Sequence, residues 1–77
     1  MIEIIIEEIK QQLGVELKLC DYFSGLKQFN GKNYFNVILE EKISESEVFN
    51  KLKRFSDKYK TIQIEPNGTK RVAVFIN

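Results

Sequence analysis

Ser44 followed three residues later by Glu47 forms a capping box, and it marks one helix start more firmly than any other signal in the chain. Ile43 before the cap and Val48 at the fourth helical position can close a hydrophobic staple. From there Val48, Leu52, Phe55 and Tyr59 recur at intervals of four, three and four residues. That is one apolar stripe on a helix, with Lys51, Lys53, Arg54 and Lys58 covering its other sides. A helix with one apolar face must lie on something. The segments on either side of it alternate with period two, so that something is a sheet.

The first segment also reads as a helix. Ile2, Ile5, Ile6, Ile9 and Leu13 fall at helical spacing, and Gly14 stands where a helix C-terminus needs positive φ. Ile4 is the one misfit. Residues 15–21 then alternate as a strand, with Val15, Leu17 and Leu19 expected inward and Glu16, Lys18 and Cys20 expected outward. Residues 33–39 set Phe35, Val37 and Leu39 against Tyr34, Asn36 and Ile38. Residues 61–65 and 71–76 repeat the pattern with Ile62 and Ile64, then Val72, Val74 and Ile76.

Register tests both hairpins. Asn30-Gly31 signals a two-residue turn that pairs Leu26 with Phe35. Continued without a break, that pairing sets Tyr22 opposite Leu39 and turns Leu19 to solvent, against the alternation of residues 15–19. Either Ser24-Gly25 bulges and resets the parity, or residues 22–32 form an irregular loop; the bulge is preferred. In the second hairpin, a three-residue loop at Pro66-Asn67-Gly68 pairs Ile62 with Val72 and keeps the apolar faces together. The expected architecture is a two-layer α+β sandwich of order α-β-β-α-β-β. Its four-stranded, mainly antiparallel sheet carries two helices on one face, in a single domain over residues 1–77.

Chemistry is narrowed by what the chain lacks. It has no His, and Cys20 is its single Cys. Disulfide frameworks, Cys/His zinc sites and His-dependent triads are excluded. Glu7 and Glu8 are neighbours on a helix and point about 100° apart, and Glu40-Glu41 sits where a strand gives way to the capped helix, so both pairs read as solvated charge. No Asp-rich loop converges on a cation, and the four Gly form no phosphate cradle. Cys20 beside Lys18 reads as a small packing residue rather than a reactive thiol. The expectation is no enzyme, no cofactor and no metal. No apolar run approaches the roughly 18–20 residues of a membrane span, and an acidic start with no base is unlike a signal peptide. A cytoplasmic protein without a membrane partner is expected.

Two surfaces remain. Overall charge is +1, yet residues 1–43 hold five bases and seven acids while residues 44–77 hold seven bases and four acids. Lys51, Arg54 and Lys58 share a helical strip, and Lys70 and Arg71 follow in the second hairpin. Such a strip can follow a phosphate backbone, though any amphipathic helix is charged on its wet side. The other surface is the sheet face away from the helices. Alternation places Tyr22, Tyr34, Ile38 and Phe75 there, more aromatic area than solubility requires. Cross-strand packing is the plainer use of those rings. The expected function is a non-enzymatic protein–protein interaction module. It meets another protein, or a second copy of itself as a homodimer, through Tyr22, Tyr34, Ile38 and Phe75 or through a sheet edge. The alternative is a weak nucleic-acid-binding protein that sets Lys51, Arg54, Lys58, Lys70 and Arg71 against phosphate.

Overall fold

The computed structural model describes residues 2–76, the side chain of Ser56 excepted. Helix α1 spans Ile2–Leu13, and strand β1 spans Leu17–Cys20. A single 3₁₀ turn, Asp21–Ser24, leads to β2 (Lys27–Phe29) and β3 (Lys32–Leu39). Helices α2 (Glu45–Leu52) and α3 (Phe55–Lys58) precede β4 (Ile62–Pro66) and β5 (Arg71–Ile76). The strands form one antiparallel sheet in the order β1-β3-β5-β4, with β2 also on β3. The chain is thus an α+β domain whose helices serve one face of the sheet.

Five strands replace the expected four because one edge is broken in two. β1 pairs with residues 37–39 of β3, and β2 pairs with residues 32–34 of the same strand. The Asn30-Gly31 turn forms as expected, closing Phe29 on Lys32. Both turn residues take positive φ, 52° and 75°, which suits the right-handed twist of the flanking strands.

The parity conflict is resolved twice, and neither place is a simple bulge at Ser24-Gly25. Leu17 faces Leu39 while Leu19 faces Ile38, so Lys18 is an extra residue in the edge strand. A one-residue shift sends every later side chain to the opposite face. Cys20 then faces the buried Val37 and packs on the core, whereas Leu19 is 49% exposed. The 3₁₀ turn then takes four residues out of the strand, ending on Gly25 at φ 107°. Three placements are therefore corrected. Leu19 lies outside, and Cys20 and Tyr22 lie against the core.

Beneath the helices the core joins Ile5, Ile9 and Leu13 of α1 to Val48, Leu52 and Phe55, and to Phe35, Val37, Leu39, Val72 and Val74 of the central strands. The apolar stripe read from the sequence is the buried one. Its helix, however, is interrupted at Lys53–Arg54. Both residues keep right-handed backbone angles, so the stripe continues in phase across the break. Ser44 Oγ accepts from Glu47 N–H at 3.2 Å, the first half of the capping box. Glu47's carboxylate turns to Lys51 at 3.6 Å instead of closing the second half.

The C-terminal hairpin keeps the expected faces but not the expected partners. Ile62 faces Ile76 and Ile64 faces Val74. Asn67 N–H donates to the Arg71 carbonyl at 3.0 Å, leaving Gly68-Thr69-Lys70 as the three-residue loop. The loop sits two residues further along than expected, and an even shift leaves the faces unchanged. Pro66 can end β4 because this strand is an edge, where its missing N–H points away from the ladder.

Candidate functional site

The uncovered sheet face is built by alternation on β3 and β5. Phe35, Val37, Val72 and Val74 point to the helices, so Tyr34, Asn36, Ile38, Arg71, Ala73 and Phe75 point away. Cross-strand pairing sets Tyr34 beside Phe75, with ring centroids 5.1 Å apart. β2 pairs Lys27 with Tyr34 and Phe29 with Lys32, which brings Phe29 onto the same face at 60% exposure. Phe29, Tyr34 and Phe75 line a shallow depression of about 260 Å³ with Glu65, Pro66 and Ala73. At the opposite end Ile38 pairs with the exposed Leu19 and with Arg71.

Of the four expected contact residues, Tyr34, Ile38 and Phe75 lie on this face and Tyr22 does not. Tyr22 packs on the core, its ring edge-to-face with Phe35 at 5.3 Å. The sequence reading missed Phe29 and Leu19. The signal for Phe29 was present, since a two-residue turn at Asn30-Gly31 places residue 29 on the face of residues 32 and 34.

A polar relay divides the two apolar ends. Because the edge strand is broken between β1 and β2, the Asn36 N–H has no strand opposite it, and Asp21 Oδ1 accepts it at 2.6 Å. Asp21 Oδ2 takes the Asn36 amide at 3.3 Å and Lys27 Nζ at 2.6 Å. Asn67 donates to Asn36 Oδ1 at 3.0 Å across the sheet. Asn36 is only 4% exposed, so these bonds satisfy a buried polar side chain on the face that has no helix over it. Burial alone would raise the Asp21 carboxyl. The hydrogen bond from Lys27 and those from Asn36 outweigh that effect and hold it below the usual carboxylate range.

Asp21 is therefore ionised and fully engaged, a poor acid or base near neutral pH and a good strut. A depressed folded-state pKa stabilises the fold above the unfolded value of about 3.9, and the contribution is lost as pH falls through the folded value. Asp21→Ala is expected to cost about 1–3 kcal/mol at pH 7, because it strips two buried donors of their acceptor. Urea melts of parent and variant should differ at pH 7, and the difference should narrow as pH falls through the folded-state value.

The bases of the second surface are dispersed. Lys51 donates to the Leu13 carbonyl at 3.1 Å, capping α1, and Lys58 pairs with Glu8. Arg54 is exposed near both. Arg71 lies on the sheet face opposite Ile38, and Lys70 sits in the β4–β5 loop. Lys51, Arg54 and Lys58 share one groove that neither Lys70 nor Arg71 lines. Burial pushes the Cys20 thiol up, which favours the unreactive protonated form. Among the described residues, no group of three or more His, Cys, Asp or Glu side chains converges as metal ligands, and no helix is long and apolar enough to cross a membrane. Comparison with protein-family models, curated proteins and solved structures finds no match to this chain.

Proposed function

We propose that this chain is a non-enzymatic protein-interaction module that docks through the open face of its sheet. The observation that carries the reading is the Phe29–Tyr34–Phe75 cluster, three rings on the side that neither α1 nor α2 covers. Large rings in a concavity are the usual anchors of protein interfaces. The edges are poorer docking sites. One is interrupted by the Lys18 bulge and the 3₁₀ turn, and Pro66 removes a donor from the other. The partner is another protein or a second copy of this chain.

The nucleic-acid reading has less support. Its bases fall on opposite sides of the sheet, and Lys51 and Lys58 already have partners.

A photo-crosslinking residue at Phe29 tests the docking face, because a side chain 60% exposed can be replaced without opening the core. Cross-links in native host extract are expected from position 29 and not from Lys53 on the helix layer. A homodimer would appear as a band of twice the chain mass, also with purified protein. Equal yields from both positions, or none from position 29, would contradict the proposal.

A further inference from the structure

On the other side of the molecule, a groove of about 530 Å³ opens between α1 and the α2–α3 arm. That volume is within the range of small-molecule sites, roughly 300–1,000 Å³. Its walls carry four bases, Lys51, Lys53, Arg54 and Lys58, against one acid, Glu8. The lining's excess of three positive charges is larger than the +1 of the whole chain, and still exceeds it when Glu47, 3.6 Å from Lys51 outside the groove, is counted. Charges gathered in a concavity reinforce one another's field and draw in counter-ions.

The four bases are not equivalent. Lys51 is tethered to the Leu13 carbonyl and Lys58 to Glu8, two anchors separated by five residues of α1, or about 7.5 Å of helix rise. Lys53 and Arg54 sit at the break between α2 and α3, and among the described residues they form no ion pair. The groove therefore has two positioned cations at its walls and two uncompensated ones. Gln12 and Asn50 add neutral amides to the lining.

We propose that this groove binds a small polyanion of the phosphate class. More than one anionic group is needed to engage bases spread along the α2–α3 arm, and the Arg54 guanidinium suits two oxygens of one phosphate. A long nucleic acid is a poorer fit because Lys70 and Arg71 lie outside the groove and do not extend its positive track. The site is independent of the sheet face, and either can fail alone.

Titration of the intact chain with inorganic triphosphate, followed by amide NMR shifts, tests the site. Saturable binding is expected, with the largest shifts in residues 8–14 and 50–58. Lys53→Gln and Arg54→Gln should each weaken it roughly tenfold, the scale of one charge-assisted hydrogen bond. Neither side chain is used by the fold, so both variants should melt with the parent. Lys70→Gln should bind as the parent does. Non-saturating shifts, or shifts as large at Lys70 and Arg71, would overturn the proposal. So would a single-stranded oligonucleotide that binds more tightly than triphosphate and depends on Lys70.

Discussion

Phe35→Ala is expected to leave the chain largely unfolded at 25 °C. Phe35 has no exposed surface, sits on the central strand β3, and lies under the helices with the Tyr22 ring against it. Truncating a buried Phe costs about 3–5 kcal/mol, because the transfer energy is lost and a cavity stays behind. A domain of this length holds a reserve of similar size. Phe29→Ala, on the opposite face and 60% exposed, should change the urea midpoint little. Circular dichroism of the two variants side by side distinguishes the faces. Equal melts would mean that the assignment of inside and outside is wrong.

That assignment is where sequence reasoning reached furthest and then stopped. The stripe Val48, Leu52, Phe55 and Tyr59 could be read directly, because helical periodicity survives a local break in hydrogen bonding. The need for a parity reset between residues 15 and 35 was legible too, since Asn30-Gly31 and the alternation of residues 15–19 cannot both hold along an unbroken strand. Its position was not legible. An extra residue at Lys18 leaves no mark on composition, and it reverses Leu19 and Cys20, while the 3₁₀ turn that follows carries Tyr22 onto the core.

The second hairpin failed for a related reason. Pro66 and Gly68 look like a single turn, but Pro at the end of an edge strand costs no ladder bond. The faces survived the error because the shift was even. The polar relay was out of reach. Asp21, Lys27, Asn36 and Asn67 are scattered in sequence, and only the gap between β1 and β2 creates the unpaired N–H that draws them together.

The docking face is tested most directly by Tyr34→Asp combined with Phe75→Asp. The two rings touch each other on the face opposite the buried Phe35 and Val74, so like charges in their place should remove the apolar anchors at once. Burying such rings stabilises a complex by roughly 1.5–3 kcal/mol each, and a buried unpaired carboxylate opposes it further. Phe29→Asp accompanies the double variant as a milder change at the most exposed of the three positions. Sedimentation of the purified chain, and of its complex with any partner cross-linked at position 29, provides the measurement. The expected result is parent-like circular dichroism for Phe29→Asp and the double variant, with the complex lost in the double variant and weakened at least tenfold in Phe29→Asp, about 1.4 kcal/mol. A folded double variant that sediments in every complex the parent forms would contradict the docking role of this face.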